Sequence, residues 1–239
     1  MQVNSISEEF VRAFTIKLAV TQAEKEEVYR IRHQVYCSEL NWEPESPLKQ
    51  EIDKHDANAQ HLLLKHNDSG KYIGCNRLIT SPAGKIEILP CANFLSDNLS
   101  EQHHNLFAHA SIGEASRFAI LPQIRKKESG ALQINQRVRP FMSAGMYLSN
   151  LALAKLLGME GVLILVSPKL ARRVGMLGLG LTKISRDIEH KGSRAVYFLP
   201  VEQSPYLLKS NPKMIELYDT IKTSVNSQLN GLFTLNQAK

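Results

Sequence analysis

The order of periodic segments in this 239-residue chain predicts an α+β fold: one mixed, mostly antiparallel central sheet flanked by helices. Three observations carry the expectation. Residues 22–39 open on a helix-start signature and continue at helical spacing. Two alternating runs, 59–65 and 71–79, are joined by a segment of hairpin composition. A later helical stretch is followed by short, strongly apolar strands.

Taken in order, residues 8–17 mix Phe10, Val11, Phe14 and Ile16 and read as a helix running into a short strand near 14–19. Thr21 stands as an N-cap with Glu24 three residues on, a capping box in which each side chain satisfies an orphan backbone N–H. Val28, Ile31 and Val35 then follow at helical spacing, so a helix is expected over 22–39. Pro44 and Pro47, with no period around them, make 41–50 a surface loop of the kind that often carries function. The turn Asn67-Asp68-Ser69-Gly70 favours antiparallel pairing of the runs on either side. Residues 86–101 lack a period and read as an excursion from the sheet, and 111–121 as another strand.

Within 130–158, Met142, Met146, Leu151, Leu153, Leu156 and Leu157 place a helix in at least the second half. Residues 162–166 read as a buried strand and 194–201 as a final one. Residues 168–174 read as a short helix whose Pro168 falls where no N–H is needed. Residues 211–229 carry Met214, Leu217, Tyr218 and Ile221 on one helical face. No repeat or linker divides the chain, so one domain is expected over 1–239, with a core of about 20–200 and a helical extension of about 205–230.

Composition is that of a folded domain, 43% hydrophobic and 22% charged, with a formal charge of +6. The basic residues gather at Arg125-Lys126-Lys127, at Arg137 and Arg139, and at Lys169 with Arg172 and Arg173. Such patches attract nucleic acid, anionic lipid or an acidic carrier protein. No helix-turn-helix or RNA-binding aromatic motif accompanies them, so a nucleic-acid partner is not expected, while peripheral membrane contact stays open. Cys37, Cys75 and Cys91 have neither an even count nor ligand spacing, which excludes a disulfide framework and a zinc site and fits a reducing cytoplasm. The first residues show no basic region followed by an apolar core, and no run of about 18 apolar residues occurs, so neither an export signal nor a membrane span is expected.

Four polar clusters stand out. Arg32 and Tyr36 are four residues apart on the expected helix, with Trp42 beyond it in the loop; they form either a pocket wall or a core aromatic with an arginine laid across it. Glu51, Asp53 and Asp56 crowd three carboxylates into six residues, which calls for a cation, arginines or water. Arg77 lies in an apolar strand, where a lone arginine needs a carboxylate. Glu114, Ser116 and Arg117 share another strand, and at a period of two Glu114 and Arg117 point to opposite faces unless a bulge intervenes.

This set resembles the acyl-homoserine-lactone synthases: Arg-x-x-x-aromatic followed six residues later by Trp, Glu-x-Asp-x-x-Asp, a further Arg, and Glu-x-Ser-Arg-Phe-Ala. The phrase Val28-Tyr29-Arg30-Ile31-Arg32-His33-Gln34-Val35-Tyr36-Cys37-Ser38-Glu39-Leu40 is similar to a sister branch, the PEP-CTERM/exosortase-associated acyltransferases, related to N-acyl amino acid synthases. The resemblance implies a GNAT-like three-layer α/β/α sandwich and acyl transfer from a thioester to an amine, with no permanent cofactor or metal. It gives Arg32, Tyr36, Trp42, Asp53, Asp56 and Arg77 to the amine-substrate pocket, where Tyr36 replaces the family's usual phenylalanine. Glu114, Ser116 and Arg117 fall to catalysis. An attacking amine must lose a proton, and Glu114 is the candidate base, with Ser116 orienting either partner.

The backbone of 117–120 is the candidate oxyanion site, and Phe118 and Ile120 belong to the acyl-donor region. The pyrophosphate turn expected of a GNAT enzyme reads here Gln123-Ile124-Arg125-Lys126-Lys127-Glu128-Ser129-Gly130-Ala131. It keeps Gly130 but not the compact spacing, which favours acyl carrier protein over coenzyme A, with Arg125, Lys126 and Lys127 facing the carrier's acidic surface. The expected reaction is acylation of an amino acid or similar amine. A lactone synthase using S-adenosylmethionine and a non-catalytic binding protein of the same fold are the alternatives.

Overall fold

The computed structural model describes residues 5–95, 99, 101–126 and 132–237. Ser5 caps α1 (Ile6–Ala13) in a capping box with Glu8, and Phe10 and Phe14 carry the chain from it into β1 (Phe14–Leu18). The second capping box, Thr21 with Glu24, starts α2 (Gln22–Arg32) at the residue expected. The helix does not run to 39 in α geometry: His33–Glu39 widens into a π-helix. The hairpin β2 (Ala59–His66) and β3 (Tyr72–Thr80) follows, antiparallel as expected. The excursion after it contains 3₁₀ turns at Ile86–Ile88 and Pro90–Phe94. It also leads into a helix absent from the sequence reading, α3 (Glu101–His109), whose only buried residue is Phe107.

β4 (Ile112–Ile120), α4 (Pro122–Arg125), α5 (Phe141–Leu156), β5 (Gly161–Val166) and α6 (Pro168–Gly175) come next. β6 (Thr182–Lys183) and β7 (Ile188–Glu189) are two-residue strands laid against β8 (Ser193–Pro200). The chain closes with α7 (Ser204–Leu208) and α8 (Pro212–Gln237).

The sheet runs β1-β2-β3-β4-β5-β8-β6, with β7 on the far edge of β8. All neighbours are antiparallel except β4 and β5. On β3 the two faces separate cleanly. The Asn76 amide donates to the Met146 carbonyl of α5 at 2.6 Å, while Cys75 lies against the Val28 carbonyl of α2. Helices α5, α8 and α1 therefore cover one face, and α2, α3 and the 3₁₀ turns the other. The result is a three-layer α/β/α sandwich, a mixed, mostly antiparallel GNAT-like sheet. Among the described residues no helix is long and apolar enough to cross a membrane.

Two departures from a regular sheet position the site. The parallel pairing of β4 with β5 covers only Ile112–Glu114 against Gly161–Leu163, although both strands continue. Past that point the burial of both strands falls together, from buried to partly exposed at residues 115–118 and at 164–166, so the sheet parts in its middle. The second departure is a bulge. Cys75 pairs with Ala119 and Arg77 with Ser116, so β4 spends two residues against the single Asn76 of β3, and Arg117 takes up the excess at φ 52°.

Candidate active site

The bulge decides which side chains meet. Ile79 pairs with Glu114 and Arg77 with Ser116, all on the α2 face. A regular strand would send Arg117 to the α5 face; the left-handed turn keeps it on the α2 face beside Ser116, and Phe118 goes to the α5 face instead, stacked 4.7 Å from Tyr147. Glu114, Ser116 and Arg117 thus converge, resolving the conflict of period noted in the sequence.

Below them lies an ionic network. Arg32, fully buried, donates to Glu51 and, at 2.7 Å, to Asp56. Arg77, 1% exposed, donates through Nη1 to Asp53 at 2.6 Å and Asp56 at 2.8 Å, and through Nε to the Ser116 hydroxyl at 3.1 Å. Arg117 donates to Glu51 at 3.0 Å and Asp53 at 3.1 Å and lies 3.4 Å from Glu43. Asp53 also caps the 3₁₀ turn Lys54–Asn58, with Asp56 returning a bond to the Asp53 N–H, so the loop carrying the carboxylates is locally braced. The two arginines beside Asp56 hold its carboxyl far below the usual range, and Arg77 pulls Asp53 down as well, each against the cost of burial. Of the two uses foreseen for these carboxylates, pairing with arginine accounts for Asp56 completely. Asp53 keeps a side chain 23% exposed.

The aromatic pair sits above. Tyr36 donates its hydroxyl to the Phe118 carbonyl at 2.7 Å, tying the π-helix to the parted strand, and burial pushes its pKa upward. Its ring lies 6.2 Å from that of Trp42, with the Arg117 guanidinium 5.5 Å from the Tyr36 centroid. Trp42 in turn carries Arg194 at 4.8 Å.

Glu114 is different from the other carboxylates. It is 3% exposed, accepts a hydrogen bond from the Cys91 N–H at 2.7 Å, and has no lysine or arginine in ion-pair contact among the described residues. Burial raises its pKa above the ordinary 4.5, with Cys91 and the more distant Arg77 and Arg117 pulling the other way. It holds a proton more readily than Asp53 or Asp56.

The donor-side residues divide. Phe118 stacks on Tyr147 on the α5 face, and Ile120, paired with Gly74, is buried on the same face. Arg125 is committed to the fold: its Nε donates to the Ile120 carbonyl at 2.8 Å and its Nη2 to Glu39. Lys126 pairs with the same Glu39 at 3.1 Å and is more exposed. Lys127 and Gly130 lie outside the described residues. No group of metal-binding side chains occurs among the described residues.

Sequence reading did not find Glu43, Lys191 or Arg194, which stand beside Arg117 and Trp42: Lys191 pairs with Glu43 at 2.6 Å. They come from a loop and a hairpin whose proximity no local pattern encodes. His61, 1% exposed and 3.6 Å from Asp56, was also missed, although its place within an apolar run was a visible signal.

Residues 31–134 match the family model described as an acetyltransferase (GNAT) domain. No curated protein matches the chain. Solved structures with a similar fold include FeeM, an N-acyl amino acid synthase from uncultured soil microbes, at 16% identity and TM-score 0.56 over 82% of this chain and 97% of that one. The AHL synthase LasI aligns at 18% identity and TM-score 0.60, over 82% and 95%. The CoA-dependent acyl-homoserine lactone synthase BjaI, solved with SAM and isopentyl-CoA, aligns at 18% identity and TM-score 0.57, over 87% and 89%. At these identities the likeness is one of fold.

Proposed function

We propose that the protein is an N-acyltransferase that moves a fatty acyl group from an acyl thioester to the amine of an amino acid or similar small primary amine. One observation carries the reading. Glu114, a buried carboxylate with a raised pKa and no arginine partner, stands on the same face as the Ser116–Arg117 bulge, beside the point where β4 and β5 part. An opening in the middle of a sheet admits an extended thioester alongside a strand. A carboxylate of raised basicity beside it is what deprotonation of an incoming ammonium requires.

In the step proposed, the acceptor's ammonium gives a proton to Glu114, directly or through one water, and the freed nitrogen attacks the thioester carbonyl. Negative charge builds on the carbonyl oxygen. Along 115–120, alternate backbone N–H groups point away from β3 towards the opening, where the ladder with β5 has ended, and these are the donors available to it. The C–S bond then breaks, and the departing thiolate takes up a proton as the amide forms. Arg32, Arg77 and Arg117, clamped by Glu51, Asp53 and Asp56, hold the wall fixed; Ser116, which accepts from Arg77, is set beside Glu114 by the same clamp.

An acyl carrier protein is the favoured donor, on the stretched turn after β4 and the exposed Lys126 at its start; coenzyme A is the other candidate. The exosortase-associated branch is supported only by the phrase from Val28 to Leu40. The test is direct: purified protein is incubated with octanoyl-carrier protein or octanoyl-coenzyme A and with either a set of amino acids or S-adenosylmethionine, and products are read by mass spectrometry. An N-octanoyl amino acid is expected. Release of an acyl-homoserine lactone from S-adenosylmethionine would assign the acceptor to the lactone-synthase alternative, and no transfer from any donor would sink the reading.

A further inference from the structure

Five cations gather on the α2 side of the sheet, and four of them are neutralised. Arg32, Arg77 and Arg117 share Glu51, Asp53 and Asp56, and Lys191 has Glu43. Arg194 alone of the five has no carboxylate in contact among the described residues. Its Nε donates to the His190 carbonyl at 2.7 Å and its Nη2, at 3.4 Å, to that of Lys191; Nη1 takes part in neither bond. The guanidinium lies over the Trp42 ring and the residue is only partly exposed, so its charge is incompletely hydrated and the Nη1 side of its fork remains unused. Burial lowers its pKa, whereas Arg32 and Arg117 are raised by their carboxylates.

Register fixes where that edge stands. Glu114 pairs with Leu163, Leu163 with Phe198, and Arg194 lies four residues before Phe198 on β8, hence on the same face as Glu114. The offset runs towards the parted end of the strands and amounts to roughly 13 Å along β8 together with roughly 10 Å across the sheet, since β5 stands between β4 and β8. The long Arg194 side chain and the shorter Glu114 side chain share one face across that distance, which leaves the span of a small molecule between their ends. An unpaired planar cation at one end of that span and a proton acceptor at the other are complementary to a molecule with a carboxylate and an ammonium.

We propose that Arg194 receives the carboxylate of the acceptor and thereby selects α-amino acids over simple amines. The proposal rests on the acyl-transfer reading for what happens at the amine end, but the carboxylate site itself is independent of turnover. Its pairing would be bidentate, through the edge that the backbone carbonyls leave free.

Trp42, the only tryptophan in the chain, lies directly under Arg194 and reports on it. The full-length protein is titrated with glycine, leucine, phenylalanine and glutamine. The decarboxylated partners of leucine and phenylalanine, isopentylamine and phenethylamine, are titrated in parallel, following Trp42 fluorescence. At least one amino acid is expected to bind saturably and roughly 30-fold or more tighter than an amine of matching side chain, the worth of a charged hydrogen-bonded contact. Arg194→Gln should abolish that preference without lowering the melting temperature. Arg194→Lys, which keeps the charge but not the fork, should lose part of it and serves as the test if the glutamine variant fails to fold. Equal response to acids and amines, no response to any, or an intact preference in Arg194→Gln would each overturn the assignment. Octanoyl transfer is measured on the same samples. Carboxylate binding without transfer would sink the acyltransferase reading and leave the Arg194 site standing.

Discussion

The role proposed for Glu114 rests on the absence of a cation in contact with it among the described residues. A carboxylate paired with arginine, as Asp56 is, has its basicity spent; one left buried without such a partner resists ionisation and so accepts a proton more readily. Glu114→Gln should lower the rate of transfer by roughly 100-fold or more. Because the raised pKa means that the fold disfavours the ionised form, the neutral amide should hold or raise the melting temperature at pH 7. The wild-type rate should climb with pH as Glu114 ionises above 4.5, and that limb should vanish in the variant. A folded Glu114→Gln enzyme with near-normal single-turnover transfer would remove Glu114 from the role.

His61 supplies a second pH signature. Its ring nitrogens have no hydrogen-bond partner among the described residues, and burial lowers its pKa from 6.5 to about 4. For a histidine depressed in the fold, the unfolded chain binds the proton first, so stability is full above 6.5, declines as pH falls from there to about 4, and levels off below, a loss on the order of 3 kcal/mol. Asp53 and Asp56, depressed below 3.8, act in a separate, lower window. Urea midpoints between pH 7 and 4 should therefore slope less in His61→Phe than in wild type, and equal slopes would refute the assignment. The charged members of the site were legible in the sequence because buried-strand arginines and crowded carboxylates are costly unless they meet. That Asp53 and Asp56 would pair with Arg32 or Arg77 was legible too; that Arg117 joins them was not, since it depends on which way one residue of β4 turns.

At the scale of elements, the joint between β4, β5 and β8 depends on a residue without a side chain. A Cβ on Gly161 would fall 2.1 Å from the Phe198 ring, which packs against Phe107 of α3. Gly161→Ala should cost about 1–3 kcal/mol despite alanine's lower unfolded-state entropy, measured as a drop in the urea midpoint. Activity should fall with it, because the displaced ring lies next to the paired segment from which the opening begins. A variant as stable and active as wild type would show that the ring can move freely. The elements most readable from sequence were those with chemical punctuation: α2, begun by Thr21 and Glu24, and the β2–β3 hairpin, turned by Asn67 to Gly70. Helix α3 was missed because its nine residues are polar around a single buried phenylalanine, and β6 and β7 because two residues cannot display an alternation. The π-helix at 33–39 and the bulge at Arg117 escaped for a different reason. Both are backbone adjustments imposed by tertiary contacts, Tyr36 on Phe118 and Arg117 on Glu51, and an arginine at positive φ carries none of the glycine or asparagine signal that normally announces one.

At the scale of the whole molecule, the formal charge of +6 bears on how a donor arrives more than on how it reacts. An acidic carrier protein is steered by exposed cations near the mouth of the opening, and the turn after β4 offers them, but its two described members are unequal. Arg125 is bonded to the Ile120 carbonyl and to Glu39, so reversing its charge would loosen α4 from the end of β4 and confuse docking with damage. Among the described residues Lys126 holds only its shared contact with Glu39, with a side chain 55% exposed. An exposed pair of this kind contributes no more than about 1 kcal/mol to folding. Lys126→Glu is therefore the informative change. At low salt it should slow transfer from octanoyl-carrier protein by roughly 3- to 10-fold through a reduced association rate, with the melting temperature nearly unchanged. Transfer from octanoyl-pantetheine, which has no acidic surface to steer, should be unaffected. Raising the salt shortens the screening length to about 8 Å at physiological ionic strength and less above it, so the gap between wild type and variant should close as salt is added. If the variant treats carrier-bound and pantetheine-bound donors alike at every salt concentration, the carrier does not dock against this edge, and coenzyme A becomes the donor to test first.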